Sequence, residues 1–146
     1  MADPVDVSAM LNANLGGWNN AMGLRFSHAT TESCTAELEV GPQHLQPYGI
    51  VHGGVHAGII EAACSTGAAI VAMGRGQSVV GLENATSFIA AARGGTLRVT
   101  ATPVTRGRRT QVWQATVTDA AGKTLATGRV RLLCLEAGSD LAGKTV

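Results

Sequence analysis

Val51-His52-Gly53-Gly54-Val55-His56-Ala57-Gly58-Ile59-Ile60-Glu61-Ala62-Ala63-Cys64-Ser65-Thr66-Gly67-Ala68-Ala69-Ile70-Val71-Ala72-Met73-Gly74 is the stretch that decides the fold. Its length and composition predict one long apolar helix, and Glu61 is its only carboxylate or basic side chain. A carboxylate within a buried helix is costly unless it is paired, protonated or used in chemistry. Gly53 and Gly54 at the mouth leave backbone N–H groups approachable at the positive end of the helix dipole. An anion-receiving helix start combined with one buried acid fits a reaction in which an oxygen becomes negative.

Outward from the helix the periodicity changes from helical to strand-like. Before it, residues 7–15 and 18–22 predict two short helices split by Gly16-Gly17. Cys34, Ala36, Leu38 and Val40 alternate with Ser33, Thr35, Glu37 and Glu39, the pattern of a half-buried antiparallel strand. Residues 43–49 form a loop with prolines in or beside it. After Gly74-Arg75-Gly76, four strands are expected at 78–90, 96–105, 111–118 and 124–135, separated by glycine-bearing turn signals. With such short connections the four are expected to be antiparallel neighbours in a meander. The polar tail from Ala137 is expected to fray. A helix apolar nearly all round must be enclosed, so the expected architecture is α+β, with an antiparallel sheet wrapped around one long central helix.

At 146 residues the chain reads as one domain, 1–146, with its core over about 24–135. The net charge of +1 gives no footprint for nucleic acid or an anionic membrane. Charged residues are only 14% of the chain, which suggests that other subunits cover part of the surface. Cys34, Cys64 and Cys134 are odd in number, widely spaced and set in apolar stretches. They read as buried free thiols in a reducing compartment. The N-terminal residues include Asp3 and Asp6 and no apolar signal segment, so the expected location is cytoplasmic. Residues 51–74 are long enough to be weighed as a membrane span, but Glu61, His52, His56 and the glycines oppose it.

The His52-Gly53-Gly54 helix start, Glu61 nine positions after the histidine, and the Asn84…Ser87-Phe88 and Gly107-Arg108-Arg109-Thr110 segments together resemble the hotdog-fold acyl-CoA thioesterases. The closer likeness is to the branch of phenylacetate-pathway and glutamate-type 4-hydroxybenzoyl-CoA thioesterases, and it covers roughly 24–135. The resemblance implies that the Gly53 N–H binds the thioester carbonyl and that Glu61 is nucleophile or general base. It also implies that Gln46, six residues before the histidine, lies near the thioester, and that the Ser65 hydroxyl orients Glu61. The family has threonine at this last position, so Ser65 keeps the hydroxyl and loses a methyl. Many phenylacetate-type relatives carry Asp where this chain has Glu61, which favours the 4-hydroxybenzoyl-type lineage.

Elementary chemistry points the same way. Charge builds on the carbonyl oxygen during thioester hydrolysis, and N–H donors at a helix N-terminus stabilise it. A carboxylate serves as base or nucleophile. Yet seven residues separate Gly54 from Glu61, about 10 Å along a helix. The site is therefore expected to be shared across a two-fold axis, with Gly53 and Gln46 from one subunit and Glu61 and Ser65 from the other, and two such dimers forming a tetramer.

Other readings stand beside this one. Glu61 could be a structural acid paired with an arginine. His52 could be catalytic, or a neutral histidine that fixes the turn. His52 and His56 at i, i+4 mimic a metal-binding face, but no third ligand is near and no metal or redox cofactor is expected. Arg106, Arg108 and Arg109 could be a solvated turn or, with Thr110, a clamp for the phosphates of coenzyme A, while Gly54 is expected to bind substrate at the helix start. Trp18, Trp113 and Phe88 are expected to pack in the core. The alternatives to hydrolysis are a hydratase or dehydratase on the same fold and a non-catalytic acyl-CoA-binding module.

Overall fold

The computed structural model describes residues 2–146. Helices α1 (Ser8–Ala13) and α2 (Gly17–Met22) precede strands β1 (Arg25–Ala29) and β2 (Cys34–Glu39). A short 3-10 turn (Pro42–His44) leads to α3 (Gly53–Met73), followed by β3 (Gln77–Phe88), β4 (Thr96–Arg106), β5 (Thr110–Thr118) and β6 (Thr124–Glu136). The six strands form one antiparallel sheet in the order β1-β2-β4-β5-β6-β3. The sheet packs around α3 as the sequence predicts.

The expected four-strand meander is only partly formed. β4, β5 and β6 are consecutive neighbours, but β3 pairs with β6, because β2 takes the edge of β4 in the register Cys34↔Ala101 to Glu39↔Thr96. The segment from Ile89 to Gly95 is therefore a crossover and not a hairpin. It is tied down where Ile89 and Ala90 donate to the Leu125 carbonyl, Val51 donates to the Ala92 carbonyl and Val40 donates to the Gly95 carbonyl. That path carries residues 89–91 past the N-terminus of α3. β3 is left as a twelve-residue edge strand.

The tail also differs from expectation. Strands β7 (Asp140–Leu141) and β8 (Lys144–Thr145) pair in a small hairpin. Ala142 and Gly143 have φ of 51° and 80°, the left-handed pair that a two-residue hairpin loop requires.

Burial along α3 recurs in adjacent pairs every four residues: Val55 and His56, Ile59 and Ile60, Ala63 and Cys64, Gly67 and Ala68, Val71 and Ala72. This face meets the sheet. Close approach is visible at Gly67, where a Cβ would lie 2.4 Å from the ring of the fully buried Trp113. The indole Nε1 donates to Gln111 Oε1, and Gln111 Nε2 donates to the Ala68 carbonyl, so the polar groups in this part of the core are satisfied. The opposite face, from Ala57 through Glu61, Ala62, Ser65 and Ala69 to Ile70, is only half-buried. The sheet of one chain thus does not enclose the whole helix, although both faces are apolar. By length and mean hydropathy (1.5) α3 could cross a membrane, but its burial against the sheet accounts for that composition.

All three cysteines are buried and free. Burial pushes the Cys34 thiol up to about 12 and raises Cys64 as well, as suits inert packing groups. Of the three aromatics expected in the core, Trp113 alone is buried there. Trp18 and Phe88 remain 43% and 61% exposed.

Candidate active site

Glu61 lies on the half-buried face of α3, two turns from the helix start. Its carboxylate is gripped on both oxygens: Ser65 Oγ donates to Oε1 at 3.0 Å, and Asn84 Nδ2 donates to Oε2 at 3.0 Å. Ser65 is four residues further on, hence on the same helix face. Asn84 reaches across from β3 and also donates to the Ala57 carbonyl, while its own Oδ1 accepts from Thr86 Oγ1 at 2.6 Å. No arginine or lysine pairs with Glu61 among the described residues, contrary to the structural-acid alternative.

The strand opposite is shaped to admit the carboxylate. A Cβ on Gly81 would lie 2.7 Å from Glu61 Oε1, and the β3–β6 register shifts between Gly81 and Glu83. A glycine beside an irregularity in a strand marks close approach of another group. On the neighbouring turn of α3, the Trp18 indole lies over Gly58, where a Cβ would be 2.4 Å from the ring. Trp18, Asn19, Gly58, Glu61, Ala62 and Ser65 line a depression of about 340 Å³.

The start of α3 forms a second, separate cavity of about 350 Å³, lined by Gln46, Gly53, His56, Phe88 and the crossover residues 89–91. Its architecture depends on His44, which is almost wholly buried. His44 Nδ1 accepts the Gly41 N–H, its Nε2 donates to the Met22 carbonyl, and its carbonyl accepts the His52 N–H, each at 2.8 Å. The loop carrying Gln46 and the cap of α3 are thereby fixed to the end of α2.

His52 is the N-cap residue. Its Nδ1 accepts the Gly54 N–H at 2.8 Å, so the geometry fits a turn-fixing role. That bond also corrects the expectation of two bare N–H groups: Gly54 is engaged, and the Gly53 N–H has no acceptor among the described residues. A Cβ at Gly53 would lie 2.8 Å from Phe88 Cζ, so glycine keeps this N–H approachable beneath the ring. Gln46 Oε1 accepts the Tyr48 N–H, which leaves its amide nitrogen as a donor.

The proposed site residues therefore fall into two groups on one chain. Gln46 and Gly53 share the cavity at the helix start, and Glu61 and Ser65 share the depression beside Trp18. The arginine turn stands apart from both, beyond the C-terminal end of α3. Arg75 Nη1 and Nη2 donate to the carbonyls of Gly107 and Arg106 there. Arg106 is paired with Glu32 at 2.5 Å and Arg108 with Glu136 at 3.3 Å. Arg109 and Thr110 are exposed, and Arg109 is in no ion pair with a described residue. Sequence reasoning assigned no role at the site to Asn84, Thr86, Gly81, His44 or Trp18, the last being expected in the core. Of these, only Asn84, in a quoted family segment, and Gly81, a glycine inside a β-branched run, left a signal to follow.

Residues 48–126, more than half of the chain, match the family model described as the thioesterase superfamily. The chain belongs to that superfamily. A Mycobacterium tuberculosis protein named only as an esterase, Rv1847, is 40% identical over 134 residues, covering 90% of this chain and 95% of that protein. Its solved structure superimposes with a TM-score of 0.81, covering 82% of this chain and 97% of that one. The 1,4-dihydroxy-2-naphthoyl-CoA hydrolase of Escherichia coli is 31% identical over 124 residues, 85% of this chain and 88% of the relative. A solved thioesterase of Haemophilus influenzae matches at 25% identity with a TM-score of 0.79, covering 89% and 88% of the two chains. The six-stranded sheet around α3 is the hotdog fold of these proteins. The chain is a thioester hydrolase.

Proposed function

We propose that the protein hydrolyses the thioester of a small or aromatic acyl-CoA in the cytoplasm, releasing the free acid and coenzyme A without a metal or redox cofactor. The observation that carries this reading is the Glu61 carboxylate held between Ser65 and Asn84 and facing a depression, not an arginine. A carboxylate oriented on both oxygens is suited to activating water or attacking the carbonyl carbon. The Gly53 N–H and the Gln46 amide are the donors for the carbonyl oxygen as it becomes negative. His52 holds the helix cap in shape, and its Nδ1 is already occupied by Gly54. The branch favoured by Glu61 is the glutamate-type 4-hydroxybenzoyl-CoA lineage.

Three features support a shared site. The groups line separate cavities in one chain, and the second face of α3 is apolar yet only half-covered. The unpaired β3 edge carries the exposed Leu82 and Phe88, an edge that gains by pairing with another copy. Antiparallel α3 helices across a two-fold axis would bring Gly53 and Gln46 of one subunit to Glu61 and Ser65 of the other, and two dimers would make the tetramer. Release of free thiol from a panel of acyl-CoA substrates, followed with a thiol-trapping dye, tests the activity. A hydratase would change the acyl chain without releasing thiol, and a binding module would do neither.

For the phosphates of coenzyme A, Arg109 is the available cation of the turn, whereas Arg106 and Arg108 are engaged with carboxylates. Replacing Arg108 and Arg109 by alanine is expected to raise KM for acyl-CoA with little change in kcat, because contacts remote from the thioester act mainly on ground-state binding. Arg109→Ala alone should account for most of the effect. A truncated thioester lacking the nucleotide should not distinguish mutant from wild type, and an unchanged KM for the full substrate would reject the clamp.

A further inference from the structure

His56 sits one turn beyond Gly53 on α3 and has no place in the reaction as derived so far. It is only 3% exposed, and it lines the same cavity as Gln46, Gly53 and Phe88. Its Nδ1 is buried without any hydrogen-bond partner among the described residues, although buried polar atoms are nearly always satisfied. The nearby aromatic ring does not compensate, since the His56 and Phe88 centroids are 6.3 Å apart and tilted at 43°. Packing alone would have favoured a hydrocarbon side chain here. Burial also lowers the imidazole below the usual histidine range, which keeps it neutral near pH 7.

A neutral imidazole has one donor and one acceptor nitrogen. With Nδ1 closed off, the cheaper tautomer leaves it as a bare lone pair and puts the proton on Nε2, since orphaned buried N–H donors are the rarer defect. The Gly53 N–H and the Gln46 amide nitrogen are donors at this cavity, and His56 lines it with Nδ1 the nitrogen buried away, which makes Nε2–H the donor it can present there. Gly53 and His56 are three residues apart, about 4.5 Å along the helix axis. If the first donor takes the thioester carbonyl, the last lies within a few atoms of it along the acyl group.

We propose that His56 is a specificity-determining residue whose Nε2–H binds an oxygen carried by the acyl group close to the thioester, so that the preferred substrates are oxygen-substituted acyl-CoAs and not plain hydrocarbon ones. This rests on the hydrolase reading above, with the acyl group entering the Gly53 cavity. A hydrocarbon acyl group would leave the N–H buried and unpaired on binding, which is the penalty that separates the two substrate types.

The test compares kcat/KM of the full-length protein for matched pairs: 3-hydroxybutyryl-CoA against butyryl-CoA, and hydroxybenzoyl-CoA isomers against benzoyl-CoA. Wild type is expected to prefer the oxygenated member of at least one pair by about 10-fold or more, the scale of one hydrogen bond made in a dry pocket. His56→Leu should erase that ratio while still turning over the hydrocarbon substrate. His56→Gln, which keeps an N–H donor, should retain part of it. His56→Phe takes the place of the leucine variant if thermal unfolding shows that the latter does not fold. A wild-type protein with no preference in any pair, or a ratio unchanged in the apolar variant, overturns the proposal and leaves the hydrolase reading intact. A protein that releases thiol from no acyl-CoA overturns both.

Discussion

Glu61→Gln is expected to lower kcat for acyl-CoA hydrolysis by about 10²–10⁴-fold, the usual loss when a general base or nucleophile is removed. Glutamine has nearly the same shape, and its amide oxygen can still accept from Ser65 or Asn84, so folding and substrate affinity should change little. Steady-state kinetics beside a thermal unfolding curve and a binding titration separate these effects. A glutamine variant with wild-type kcat on short and aromatic acyl-CoAs would make Glu61 a structural group and sink the mechanism. Ser65→Ala should cost less, because Asn84 still holds the other carboxylate oxygen. Under the proposed mechanism, Ser65 and Asn84, which hydrogen-bond the two carboxylate oxygens, are positioning residues and Glu61 is the reacting one.

The parts of this site that could be read from the sequence are those encoded by local pattern. A 21-residue helix with one acid, opened by His-Gly-Gly, is a contiguous signal, and strand alternation is nearly as direct. Gly53 follows from the glycine-opened helix start, whereas Gln46 was implied only by the family resemblance; both line one cavity. The position of β3 was not legible. The seven residues from Ile89 to Gly95 have the length of an ordinary strand connection, and nothing local says that β2 will claim the edge of β4 first. Asn84 could not be assigned for the same reason: its partner lies 23 positions away on another element. Trp18 and Phe88 misled because, being few and scattered, they were expected, with Trp113, to pack in the core. Trp18 and Phe88 instead lie against Gly58 and Gly53, at the margins of the two cavities. The half-covered face of α3 carries the same lesson. Apolar composition signals that a surface will be covered, without specifying whether its own sheet or another subunit covers it.

Subunit complementation is the sharper test of how the site is assembled. Glu61→Gln and Gly53→Pro subunits should each be inactive alone, the first lacking the carboxylate and the second lacking the N–H for the carbonyl oxygen. Proline is a tolerable choice at this position. Gly53 is the first residue of α3, where proline is favoured, and His52 before it is already extended, with φ −62° and ψ 134°. The added ring atoms would meet Phe88, an exposed side chain that can turn aside. A melting curve establishes that the variant folds. If the site is shared as proposed, then when the two proteins are mixed and allowed to exchange subunits, each hybrid dimer would pair the intact Gly53 of one chain with the intact Glu61 of the other at one of its two sites. Equal random mixing makes half of the dimers hybrid, so recovery should approach roughly a quarter of wild-type activity from two inactive parents. Exchange must be followed independently, for example with differently tagged subunits. Demonstrated hybrids without recovered activity would mean that each site is built within a single chain, and that the separation of the two cavities along α3 is bridged by movement and not by a partner.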